Sequence, residues 1–169
     1  VAANVKVVGG KKLTLALASI EKKVTNAGVL RVGFLEGSRY PPRTNARFLK
    51  AVGSNATPKL QPPLPIAQAA FWNEYGTATA PARPFFRTTI AKQSKTWADV
   101  LAAALKTTDY DGQASLAILG EDMVGDVQRA IATWSAPPNS EFTIKVKGFD
   151  KPLVDSGDMQ DAVAFEVKK

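Results

Sequence analysis

The chain reads as an α+β domain: three main helices, a small and mostly antiparallel sheet from strands near the two ends, and a long Pro-rich basic loop. Three observations predict this. Short alternating apolar segments stand near the two ends, at residues 29–35 and 162–167. Between them, apolar residues recur at the 3.6-residue spacing of amphipathic helices. Residues 36–63 follow neither period and hold five prolines, Pro41, Pro42, Pro58, Pro62 and Pro63. Strands at the ends with helices between them is an α+β pattern, in which the first and last strands pair in one sheet. At 169 residues the chain fits one domain, 1–169, long enough to bury a real core.

The elements follow in order. Leu13, Leu17, Ile20 and Val24 sit at helical spacing, so residues 12–27 read as an amphipathic helix that Gly28 ends. Residues 29–35 are β-branched and alternating, which predicts a strand. Residues 36–63 form an extended loop, or a hairpin arm with a weak second strand or helix near 46–52. Pro65 suits the first turn of a helix, and Gly76 is a natural left-handed stop. A second long helix starts at Pro84 or Phe85, with Ile90, Ser94, Trp97, Leu101 and Leu105 as its buried stripe. A third starts at Asp111 or Ala114 and runs to Trp134, burying Leu116, Leu119, Met123, Val127, Ile131 and Trp134. Its Gly120 and Gly125 either permit close helix packing or are tolerated defects. Ser140 with Thr143 suggests a capped single turn, and Asp155-Ser156-Gly157-Asp158 can cap a short helix through Gln160. Residues 162–167 alternate again and make the last strand.

Composition removes several kinds of chemistry. There is no cysteine, so a disulfide framework and a thiolate metal site are excluded. There is no histidine, so a Ser-His-Asp triad cannot be built and the commonest general base is missing. The sequence shows no phosphate-cradling glycine loop and no nucleophile elbow. Neither an enzyme nor a cofactor or metal site is expected. Glu121, Asp122 and Asp126 share one helix, but without histidine they make too few ligands for a metal and read as solvent-facing. No apolar run approaches the length of a membrane span, and the basic stretch from Val1 to Lys12 lacks the apolar core of a secretory signal.

Charge is unevenly distributed. Residues 1–60 carry eleven Lys and Arg against two acids, whereas residues 111–169 carry six against ten. The basic part can face a polyanion such as DNA, or the acidic part of the next copy in a heterologous ring, or both blocks can be plain solvated surface.

The most constrained stretch is Glu74-Tyr75-Gly76-Thr77 followed by Pro81-Ala82-Arg83-Pro84-Phe85-Phe86-Arg87, a turn that fixes the angle between two helices and presents two arginines. Arg83 and Arg87 bridge to a neighbouring subunit's carboxylates, or pair within their own chain, with Glu74 as one candidate. At least one of Phe85 and Phe86 anchors the core. The loop carries Arg39, Arg43, Arg47, Lys50 and Lys59. It is a solvated loop, a surface whose Arg39, Arg43, Arg47 and Lys50 touch DNA phosphates without sequence preference, or an arm draped over a partner protein. Its prolines preset an extended path, which favours the partner-protein reading, and it lacks the stacked aromatics that single-strand binding uses.

These motifs resemble those of the neck and tail-completion (head–tail joining) proteins of tailed bacteriophages. The resemblance rests on Phe71-Trp72-Asn73-Glu74-Tyr75-Gly76-Thr77 with Pro81 to Arg87, on Val32-Gly33-Phe34-Leu35 leading to Tyr40-Pro41, and on a C-terminal block. That block comprises Pro137-Pro138-Asn139-Ser140, Thr143-Ile144-Lys145, Lys147-Gly148, Lys151 to Gly157, and Met159. Together these cover most of residues 29–167. The resemblance implies a small α+β structural protein of the virion, assembled in the bacterial host cytoplasm as a homo-oligomeric ring around the DNA path. It implies a head connector or adaptor on one side and a tail terminator or tail tube on the other, with non-specific contact to duplex DNA. Such proteins usually have a shorter connection between the positions of Tyr40 and Ile66. The competing reading is a basic, non-sequence-specific nucleic-acid-binding domain.

Overall fold

The computed structural model describes residues 9–169. In chain order its elements are α1 (Gly10–Thr25), β1 (Val29–Phe34), β2 (Arg43–Thr44), α2 (Ala46–Ala51), β3 (Leu60–Gln61) and α3 (Ile66–Tyr75). They continue with α4 (Phe85–Thr107), α5 (Gly112–Thr133), α6 (Glu141–Lys147), α7 (Asp158–Asp161) and β4 (Val163–Lys168). The part of the N-terminal stretch as far as residue 8, read above as lacking a secretory signal, lies outside the described residues. No described helix is long and apolar enough to cross a membrane.

The end strands pair antiparallel, with Leu30 opposite Val167, Val32 opposite Phe165 and Phe34 opposite Val163. Directly opposed residues share a face, so one side of the ribbon is wholly apolar. The other side carries Val29 with Lys168, Arg31 with Glu166, and Gly33 with Ala164. The apolar side lies on α5. A Cβ on Gly120 would stand 2.4 Å from the Phe165 ring, so this glycine is what lets the strand approach the helix. A Cβ on Gly125 would meet nothing within 4 Å. The first glycine is required for packing, against a strand rather than a helix, and the second is merely tolerated. The core gathers Ile66 and Ala70 of α3, Phe85 of α4, Val127 and Ile131 of α5, and Leu153, Met159 and Val163.

Asp111 caps α5, its carboxylate accepting from the Ala114 amide at 3.0 Å. The buried stripe of α5 is close to expectation, with Leu119, Val127 and Ile131 buried. Asp126 is a correction: it is buried rather than solvent-facing, accepts from Trp97 Nε1 at 2.9 Å and pairs with Arg129. The stripe of α4 is also corrected. Ile90 and Ser94 are exposed, and the buried positions are Phe85, Thr89, Trp97 and Ala104. Thr89 tolerates burial because its hydroxyl donates to the Phe85 carbonyl one turn back, at 2.7 Å. That leaves Ile90 facing outward.

Helix α1 forms where periodicity places it, but none of its side chains is buried. It is held at its C-terminal end. Lys23 pairs with Asp109 at 2.6 Å, and Gly112 leaves room for the Lys23 and Val24 carbonyls and the Ala27 methyl. Of the two readings of residues 36–63, the hairpin arm is the one observed. Arg43 and Thr44 pair with Gln61 and Leu60, α2 lies between them, and Tyr40 N donates to Leu64 O at 3.0 Å to close the base. In the C-terminal block, Ser140 caps α6 as expected, though α6 runs for about two turns. α7 differs in its cap. No side chain caps it, because Asp155 and Asp158 turn instead toward Arg43.

Candidate functional site

The joint between α3 and α4 is built around one carboxylate. Helix α4 begins at Pro84-Phe85, and proline has no side-chain acceptor for the orphan amides of the first turn. Glu74, in the last turn of α3, supplies it. Its Oε2 accepts from Phe86 N at 2.9 Å and its Oε1 from Arg87 N at 3.1 Å. These are the two amides an N-cap side chain would satisfy. The negative charge also sits at the positive end of the α4 dipole. Only 6% of Glu74 is exposed. Arg87 completes the lock: its Nε donates to Oε1 at 2.9 Å, its guanidinium donates to the Glu74 carbonyl at 2.9 Å, and it stacks over the Tyr75 ring.

The turn between the helices is closed just as fully. Gly76 stops α3 with φ 78° and ψ 176°, so it leaves toward extended backbone rather than entering the left-handed helical region expected. A Cβ there would lie 2.9 Å from Ala82 N. Thr77 Oγ1 accepts from Ala80 N at 3.0 Å, and Arg83 N donates back to Asn73 O at 2.6 Å.

Arg83 ties this joint to the far end of α5. It is 8% exposed, and donates from Nε to Pro137 O and from its terminal nitrogen to Pro138 O, each at 3.1 Å. Burial lowers its pKa from the usual guanidinium value, and the nearby Asp150 carboxylate partly offsets this. Asp150 also accepts from the Asn139 amide at 3.1 Å. Both joint arginines therefore bond within their own chain: Arg87 with Glu74, and Arg83 with backbone carbonyls. Phe85 is in the core and Phe86 is half-buried beside it.

The arm's cations divide. Arg43 binds Asp155 at 3.0 Å and also Ser156 and Asp158, with its guanidinium over the Tyr40 ring. Arg47 binds the other oxygen of Asp155 at 2.9 Å. Arg39 donates to Pro63 O at 3.2 Å. Lys50 and Lys59 are exposed and form no ion pair among the described residues. Burial raises the Tyr40 pKa above the ordinary phenol, with Arg43 pulling the other way. Phe48 of α2 packs edge-to-face on Phe142 of α6.

The charge blocks also meet inside the chain. Arg31 pairs with Glu166, and Arg43 and Arg47 with Asp155. This arrangement was not among the sequence readings, because it depends on the end strands bringing the two halves together. Sequence reasoning also missed the receiving ends of Arg83, since backbone carbonyls leave no signature in side-chain pattern. Among the described residues, no group of three His, Cys, Asp or Glu is placed to hold a metal ion. No protein-family model matches the chain, and no curated protein or solved structure matches it either.

Proposed function

We propose that the protein is a structural subunit of the phage head–tail interface, a neck or tail-completion protein forming a homo-oligomeric ring around the DNA path. The observation that carries this reading is its unfinished apolar surface. Leu13 and Leu17 on α1, Phe71, Trp72 and Tyr75 on α3, Ile90 on α4, and Phe48 and Phe142 on α2 and α6 are all exposed. Of these, Phe71, Tyr75 and Ile90 line one apolar groove, and a contiguous apolar patch of this kind supports a site of protein association. The closed joint supports the same reading: an angle fixed within each copy repeats identically around a ring and sets its curvature.

The nucleic-acid reading draws less support. Arg43 and Arg47, its central candidates, already bind carboxylates of their own chain. Sedimentation of the purified chain, with and without duplex DNA, tests the choice. The ring reading predicts a discrete multimer without DNA. A monomer that binds duplex DNA with an affinity falling steeply with salt contradicts it.

A further inference from the structure

We propose that the outer edge of β1 in one copy pairs with the outer edge of β4 in the next, joining the two-stranded ribbons of successive copies into one antiparallel sheet. This rests on the ring reading above and names the contact that would make the ring.

The hydrogen bonds of the ribbon are half used. The sheet has two strands, so each strand has one partner and one free edge. Alternate residues of an antiparallel strand turn both backbone groups to the same side, so about three of the six residues in each strand face outward. Among the described residues, no backbone group outside the ribbon bonds to the backbone of residues 29–34 or 163–168. The elements packed closely on β1 are β4 and α5, and α5 covers a face rather than the edge. β4 has the same two neighbours in β1 and α5, together with the short α7 that leads into it.

Neither edge is blunted in the ways that usually prevent pairing. Both strands are six residues long, neither contains proline, and their one-to-one register holds no bulge. An open edge of this kind takes an extended strand through main-chain hydrogen bonds.

Charge selects the strand. β1 carries Arg31 and no acid, so a second β1 offers this arginine no countercharge. β4 carries Glu166, which Arg31 already faces within one copy. Repeating that register between copies sets Arg31 of one copy against Glu166 of the next. It also keeps Leu30, Val32 and Phe34 on the same side of the sheet as Val167, Phe165 and Val163, so the apolar face continues from ribbon to ribbon. The two edges are different surfaces of one chain. The contact is therefore heterologous, each copy giving one edge and receiving the other, and it closes into a ring when the rotation allows.

The chain has no native cysteine, so single cysteines report the neighbour directly. Val29→Cys and Lys168→Cys are placed in separate chains, at two exposed positions that this register sets opposite each other. Opposed residues of antiparallel strands have Cα atoms about 4.5–5.5 Å apart, within reach of a disulfide. Mild oxidation of a one-to-one mixture should give covalent dimers, and neither variant alone should. A second measurement reverses charge. Arg31→Glu and Glu166→Arg should each lose the multimer that light scattering gives for the wild-type chain, and their mixture should regain it. Regain can come only from contacts between copies, because residues 31 and 166 remain like-charged within both variants. A wild-type multimer whose mixed cysteine variants form no covalent dimer, or in which one variant alone forms as much, overturns the edge contact and leaves the ring reading standing. Charge variants that keep the wild-type mass overturn it in the same way. A wild-type chain that is monomeric at every concentration overturns both.

Discussion

The α3–α4 joint and the basic arm are both rich in arginine, and they use it in opposite ways. In the joint, Glu74 and Arg83 are over nine-tenths buried, Arg87 keeps 54% of its side chain in solvent, and the side-chain hydrogen bonds of Glu74 and Arg83 each tie together segments that are apart in the chain. In the arm, the partners Asp155 and Asp158 keep 40% and 30% of their side chains in solvent, and the residues beyond α2 are exposed. Buried charge pairs are costly to break because each leaves an uncompensated partner, whereas exposed pairs are screened and contribute little. The joint is therefore the rigid part of the molecule, and the arm is a latch that salt can loosen.

Removing Glu74 should separate the two regions most. Glu74→Ala leaves two α4 amides and Arg87 without their acceptor. It should cost about 3 kcal/mol in denaturant unfolding while leaving the arm's hydrogen exchange below its own base unchanged. Equal loosening of joint and arm would show that the two are one unit. Next in size is Arg83→Ala, which strands the Pro137 and Pro138 carbonyls and should cost about 2 kcal/mol. Arg83→Lys should restore little of this, because a single ammonium cannot span both acceptors.

Arg43→Ala with Arg47→Ala should cost only about 1 kcal/mol, by the usual worth of exposed pairs. The clearer readout is salt. Amide exchange in residues 36–64 of the wild-type chain should quicken as ionic strength rises, and the double variant should lose that dependence. Exchange around Glu74 should not respond.

The smallest effect is expected in alkali. Tyr40 has its pKa raised by burial, so its folded value lies above its unfolded one. Its contribution is fully present below the ordinary phenol pKa near 10 and is lost as pH rises through the folded value. Titrating the chain above pH 10 should loosen the arm before the joint. Tyr40→Phe should remove that order, as followed by limited proteolysis of the arm.

Much of this architecture was legible in the sequence. The end strands showed through strict alternation, and α5 through five turns of apolar spacing. The joint was visible as a Gly- and Pro-constrained turn, with Glu74 as one candidate partner for its arginines. The rotation of α4 was not legible. Thr89 and Ile90 are neighbours, and hydropathy alone favours Ile90 for the core. A threonine that satisfies its own hydroxyl can take the buried place and free the isoleucine for the surface. The role of Asp126 was hidden for a similar reason, since only the fold brings Trp97 to it. The internal pairing of the charge blocks required knowing that residues 31 and 166 stand opposite each other.

The measurement that bears most directly on the whole account is electron cryomicroscopy of the purified chain. The account predicts a closed ring of identical copies around an open channel, with the segment from Glu74 to Arg87 superposing in every copy. Particles that are single copies, or assemblies in which the α3–α4 angle differs from one copy to the next, would contradict it.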